Sequence, residues 1–211
     1  MSHHRLYKIW SQVPSTYYQH GVQTNILQRI WHKNKIKNAV QIMENLSFTR
    51  CLDVGCASGF MISEIAKKFP DASYYGIDAY DNSIAYAKNH YPAIAFSVGN
   101  AEKIPYKDKF FDVLVCYETI EHIEYPAKAL KEMKRILKKN GTLILAMDSG
   151  NWAFRSIWYV WEHTFGRAWL GAHLHPFHHS ELEQLIKRSG FKIRSKRFTH
   201  CGLEVVFILG V

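Results

Sequence analysis

Several features are missing or scarce in this chain, and each absence excludes something. No apolar run approaches the ~18 residues that a membrane-spanning helix needs. Cysteines number only four, Cys51, Cys56, Cys116 and Cys201, in no metal-finger spacing. Nothing suggests a disulfide framework, so a reducing, cytoplasmic setting is expected. The basic residues near the start are followed by no apolar core, so no signal peptide is expected. No internal repeat is visible. A dinucleotide fingerprint, G-x-G-x-x-G, fails in the one loop that approaches it, because Ala57 and Phe60 stand where two of the glycines should be. A phosphate loop fails too, for want of Gly-Lys-Ser/Thr.

What is present is the composition of a globular chain. Hydrophobic residues make up 47% and charged residues 21% of 211 positions, which excludes disorder. That length suits a single domain, residues 1–211, large enough to bury a core. The net charge of +9 is unevenly placed. Residues 1–50 hold seven basic residues and one acidic, 51–150 hold twelve and thirteen, and 151–211 hold eight and four. All six tryptophans lie in the flanks, four of them between Trp152 and Trp169. Basic, tryptophan-bearing flanks suit an anionic membrane surface, a nucleic acid, an acidic substrate or simply solvent.

The middle of the chain, residues 51–147, alternates strand and helix. Arg50–Val54 reads as a buried strand. A helix follows Gly59 with Ile62, Ile65, Ala66 and Phe69 on one face, stopped by Pro70 and Asp71. Strands are expected at 73–77, 94–98, 111–116 and 142–147, with a helix from Asp81 toward Asn89. Another helix, carrying Leu130, Met133 and Leu137, should end in Lys-Lys-Asn-Gly. Residues 148–179 break the rhythm and are aromatic and His-rich. Residues 180–211 restore it, with a Ser180–Glu183 capping box, a helix to Gly190, and strands at 191–197 and 204–209. Residues 1–50 read as a helical preamble. The expected fold is α/β, a doubly wound, seven-stranded, mostly parallel sheet with helices on both faces and an aromatic insertion after strand five.

Ligands of such sheets bind at the carboxyl ends of the strands, where the winding reverses. The first such loop reads Asp53-Val54-Gly55-Cys56-Ala57-Ser58-Gly59. Asp53 would repel a pyrophosphate but suits a cation. Asp78, at the end of the second strand, can accept both hydroxyls of a ribose. Asn100, in Gly99-Asn100-Ala101-Glu102, can bond an adenine edge. Together these describe an adenosine ligand with a positive, unphosphorylated tail, which S-adenosylmethionine (SAM) fits.

The stretch from Cys51 to Met147 resembles the class I SAM-dependent methyltransferases. The likeness rests on the glycine loop, Asp78, the Gly-Asn-Ala-Glu turn, Lys109–Asp112 and Arg135–Gly141. The family often carries Asp where Asn100 stands. The resemblance implies a Rossmann-like fold and a SAM site made by Asp53, Gly55, Cys56, Ala57, Gly59, Asp78, Ala79, Asn100, Ala101 and Tyr117.

Glu118, Glu121 and His122 would share one face if a helix begins there. An E-x-x-E-H motif holds a metal in the ubiquinone-pathway O-methyltransferases and the small-RNA 2′-O-methyltransferases. Mg²⁺ on these three residues is therefore one expectation, and metal-free catalysis with His122 as base is the other. His173 and His175 could add a further ligand or catalytic group. The insertion, with Asn151, Trp152, Glu162, His163, Gly171, His173 and Phe177, is similar in rhythm to the substrate entrance of the ubiquinone-pathway enzymes. Trp152, Trp158, Trp161 and Trp169, with Arg155 and Arg167, suit an interfacial helix within 151–170, or a lid packed on itself. Tyr17 or Tyr18 could close over the donor. The leading expectation is methyl transfer to a hydroxyl of an apolar or aromatic small molecule, quinol- or lipid-like. The rivals are an RNA 2′-O-methyltransferase, for which nucleic acid would be the partner, and a non-catalytic adenosine-binding partner subunit.

Overall fold

The computed structural model describes residues 7, 9, 11–164, 171 and 173–211, except the side chain of Glu162. Arg167, Trp169 and most of the preceding interfacial segment's end, 165–170, lie outside the described residues, as do His3, His4 and Trp10. The described part of the preamble includes two helices, α1 (Tyr17–Thr24) and α2 (Ile26–Met43). Asn25 caps α2, its side-chain oxygen accepting from the backbone of Leu27 and Gln28.

The core then runs β1 (Arg50–Val54), α3 (Phe60–Ala66), β2 (Ser73–Asp78), α4 (Asp81–His90), β3 (Ala95–Val98) and β4 (Phe111–Tyr117). It continues through a short 3₁₀ turn (Ile120–His122), α5 (Pro126–Ile136), β5 (Leu137–Asp148), α6 (Trp152–His163) and α7 (His179–Arg188). It closes with β6 (Lys192–Thr199), a 3₁₀ turn (His200–Gly202) and β7 (Glu204–Gly210). The seven strands order as β3-β2-β1-β4-β5-β7-β6, with β7 antiparallel to both neighbours and the other pairs parallel. The winding reverses beside β1, between β1 and β4, which places the crevice at their carboxyl ends.

Strand periodicity sorts the core into two faces. Leu143, Leu145 and Met147 of β5 and Val205, Phe207 and Leu209 of β7 pack with Leu130 and Met133 of α5 and Leu182 and Ile186 of α7. Ile144, Ala146 and Val206 point the other way, toward the layer built by Ala39 and Met43 of α2, Ile62 and Ile65 of α3, and Ile84 of α4. Helix α2 therefore belongs to the core at its C-terminal end and reaches over the crevice at its N-terminal end.

Four local expectations change. The helix after Gly59 stops at Ala66, before Phe69, which instead meets Phe48 edge to face. Helix α5 ends at Ile136, and Leu137 already pairs with Phe111, so Lys138–Gly141 form the first, bulged part of β5 rather than a helix stop. The capping box of α7 uses His178 and Glu181, not Ser180 and Glu183. Glu183 is drawn away to Lys187 and Lys196. Finally, the segment after β4 forms only a 3₁₀ turn, Ile120–His122, and Glu118 precedes it, so no helix sets Glu118 on a common face with Glu121 and His122.

Candidate active site

A cavity of about 850 Å³ opens at the carboxyl ends of the strands, under the preamble helices and α6. Its first half lies over β1, β2 and β3. Gly55 and Cys56 donate their backbone N–H groups to the carbonyl of Ile77, folding the loop back across β2. Gly55 has φ +80°, and a Cβ there would sit 2.2 Å from Oγ1 of Thr119, so only glycine serves. Ala57 holds a left-handed φ of +45° and donates its N–H to Asp78 at 2.8 Å. Tyr80 N–H binds the other oxygen of Asp78 at 2.9 Å. The carboxylate is thereby fixed at the lip of β2. Burial pushes its pKa up, against the pull of these N–H donors.

Gly55, Ala57, Asp78, Ala79, Asn100 and Ala101 all line the cavity. Asn100 is oriented by accepting the N–H of Glu102 at 2.8 Å. Asp53, Cys56 and Tyr117 lie one layer deeper, around a side pocket of about 60 Å³ that also meets Gly55 and Ala57. Gly59 lines neither pocket and starts α3 at φ +79°. Burial first, then the charge of Asp78, push Asp53 up to about 8. A positive charge beside it would draw it back to the ionised form.

The second half lies beyond β4 and β5 and is assembled from distant segments. Glu118 turns the chain sharply after β4 at φ +46°. Its carboxylate pairs with Lys35 of α2, whose residue is only 3% exposed, and accepts from Nε1 of Trp31 at 3.3 Å. Burial alone would raise Glu118, but the adjacent ammonium and these donors win and hold it down to about 2. Trp31 also stacks on His200, whose Nε2 donates to the Trp31 carbonyl at 3.1 Å. Glu118 is thus the anchor of α2.

Glu121 is 2% exposed and its Oε2 has no hydrogen-bond partner. Burial, then the neighbouring Asp148, push it well above the ordinary carboxylate range. Its ligand atom lies within 4.8 Å of those of His122 and His173. His173 stacks on Trp158, 4.8 Å between ring centres, and its Nδ1 is 4.0 Å from Asp148. Burial and then His122 hold His173 down to about 4, a neutral imidazole at ordinary pH. Asp148, at the end of β5, accepts the N–H of Gly150 and is raised to about 7 by burial and then by Glu118. Tyr17 and Tyr18 line the roof.

His175 stands apart. Its Nε2 donates to the carbonyl of Glu124, its ring stacks on Phe177, and it is not among the lining residues. Leu174 and His175 both donate their N–H groups to the Glu121 carbonyl, so the segment turns there and the expected same-side pairing with His173 is lost. Sequence reasoning missed Lys35 and Asp148. Asp148 had a readable signal, since it ends an apolar strand as Asp78 does. Lys35 had none.

No lysine or arginine among the described residues lines the cavity, whereas Asp78, Glu102, Glu118, Glu121, Glu124 and Asp148 do. Such a lining rejects a dinucleotide's phosphates and accepts a sulfonium with its ammonium tail. Residues 52–145 match the methyltransferase domain family. A demethylmenaquinone methyltransferase of Chlorobaculum tepidum is 26% identical over 182 residues, covering 79% of this chain and 75% of the relative. A ubiquinone biosynthesis O-methyltransferase of Rickettsia conorii is 29% identical over 130 residues, covering 59% of this chain and 44% of the relative.

These matches support a SAM-dependent methyltransferase.

Among solved structures, a SAM-dependent methyltransferase of Thermotoga maritima overlays with a TM-score of 0.66 at 22% identity, covering 92% of this methyltransferase and 97% of that chain. The strand order and antiparallel β7 are thereby those of a known methyltransferase fold. The residues over β1–β3 are suited to holding the donor of this methyltransferase. Those over β4 and β5 face the remaining volume.

Proposed function

We propose that this enzyme methylates an oxygen of an apolar or aromatic small molecule, with Asp78 holding the donor ribose, Asn100 the adenine, and His122 the acceptor's proton. The observation that carries the reading is the shape of the second half-cavity. Phe154, Trp158 and Trp161 wall it, and Glu121, His122, His173 and Asp148 sit at its floor. Exposed Leu27 of α2 and Ile157 of α6 line the cavity's mouth, and the same helices also expose Ile26 and Ile30, and Trp152, Tyr159 and Val160. Such a mouth suits an acceptor delivered from an apolar phase, and it supports peripheral membrane contact through α6. Among the described residues no helix is long and apolar enough to cross a membrane.

SAM supplies a methyl group on a sulfonium. The chain's residues do the rest: they align the acceptor oxygen, exclude water with the aromatic wall, and receive the hydroxyl proton on His122 as the new O–CH₃ bond forms and the C–S pair returns to sulfur. Mg²⁺ does not fit this floor. Glu118 is committed to Lys35, and what remains close together is one carboxylate and two imidazoles, whereas Mg²⁺ demands mostly oxygen ligands in octahedral array. No step is assigned to it. The single domain reads as four working parts: the cap 1–50, the donor core 51–147, the acceptor-side insertion 148–179 and the closing elements 180–211.

The test is turnover of alkylated catechols and hydroquinones with SAM, followed by mass spectrometry. A methyl ether from the native enzyme, with kcat reduced about 100-fold or more in His122→Ala while donor affinity is kept, supports the reading. Methylation confined to nitrogen or carbon overturns it.

A further inference from the structure

We propose that the second half of the cavity is a charge filter, admitting uncharged and cationic aromatic acceptors and rejecting those that carry a carboxylate or phosphate. The inference rests on the cavity being the methyl-transfer site. Its ground is a mismatch between the protein and its cavity. The chain carries +9, yet six of its eighteen acidic residues line this one cavity, and no described lysine or arginine does.

The donor does not account for all six. Asp78 and Glu102 lie over β2 and β3, the donor's side of the switch point. Glu118 is neutralised by Lys35. Glu121 and Asp148 remain, after β4 and β5, where the acceptor must lie to meet the methyl group. Glu121 carries an unpartnered Oε2, buried and on the cavity wall, which is a polar group awaiting a donor from the ligand. His173 contributes no positive charge, since burial keeps it neutral, and His122 contributes one only when protonated.

An anionic substituent entering here would lose its water among acidic side chains that burial already drives toward their protonated forms, and no lysine or arginine among the described residues lines the cavity to receive it. A hydroxyl would instead hydrogen-bond Glu121 or Asp148, and an ammonium would draw either one back to its ionised form. The aromatic wall is indifferent to the sign of charge and grips the ring in either case. The acceptor is then an aromatic ring already free of acidic groups, so any carboxyl group its precursor carried has to be removed or masked by an earlier reaction. The same filter rejects a polyanionic RNA.

The experiment is a calorimetric titration with S-adenosylhomocysteine present, so that binding is read without turnover. Three probes share one ring and differ in charge: 4-ethylcatechol, dopamine and 3,4-dihydroxyphenylacetate. The expected result is comparable binding of the first two and at least ~10-fold weaker binding of the carboxylate. In Glu121→Gln/Asp148→Asn, or in Asp148→Asn alone should the double variant melt early, the carboxylate's disadvantage should shrink to less than about threefold. Equal binding of the carboxylate by the native protein overturns the proposal. So does a gap that the variants leave unchanged, or failure of all three probes to bind. Because turnover is not read, an enzyme that methylates nitrogen rather than oxygen would still show the filter.

Discussion

The two halves of the cavity are built on opposite plans. The half proposed for the donor is made by three consecutive strand ends, and its groups are held by backbone: the Gly55 turn against Ile77, and Asp78 clamped by the N–H groups of Ala57 and Tyr80. The half proposed for the acceptor is made by side chains from segments far apart in sequence. Lys35 and Trp31 come from the preamble, Glu118 and Glu121 follow β4, Asp148 ends β5, and Trp158 and His173 come from the insertion. A backbone-built site is rigid and specific for one ligand. A side-chain-built site can be retuned, which is why one fold serves many acceptors.

Breaking the donor half at its turn has the largest expected effect. Gly55→Ala forces a Cβ against Thr119 at a φ that side chains rarely adopt. Donor affinity should fall about 100-fold or more by calorimetry, roughly 3 kcal/mol. Catechol binding measured without donor should persist. Loss of both together would show that the halves are not separable.

Next comes the joint between the halves. Lys35→Met removes the cation that holds Glu118 down to about 2. A depressed carboxylate contributes stability that is present above its ordinary range and fades as pH falls toward 2. The variant lacks that contribution at neutral pH. It should be less stable by about 2–4 kcal/mol, a Tm loss of roughly 5–10 °C. Proteolysis should open α2 first. Unchanged melting would refute the anchor.

The smallest effect sharpens the acceptor side. Asp148 is raised to about 7, so ionising it costs the folded state. The penalty begins above the unfolded value near 4, grows to pH 7 and is complete above it. Asp148→Asn should therefore melt a few degrees higher than the native enzyme at pH 8 and equally at pH 4. A stabilisation that is the same at both pH values would point to packing instead.

This contrast also explains what could be read in advance. Strand–helix alternation, the acid–glycine–acid spacing and the amide after β3 are local patterns, and they pointed to the sheet and to Gly55, Ala57, Asp78 and Asn100, which line the cavity. The E-x-x-E-H reading gathered Glu118, Glu121 and His122 by assuming a helix. The chain instead makes one 3₁₀ turn, because Glu118 takes a left-handed φ and is claimed by Lys35, 83 residues earlier. His173 takes its place beside Glu121 and His122, and His175 is turned away by the paired N–H bonds to the Glu121 carbonyl.

By itself, then, the sequence determined the wound sheet, the glycine turn and the carboxylate that ends β2, since periodicity and backbone freedom are written within a few residues of each. Only the tertiary structure decided which carboxylate is neutralised, which stays unpaired in the cavity and which imidazole joins it. Those outcomes depend on burial and on charges brought together from opposite ends of the chain, and neither is a property of any local stretch.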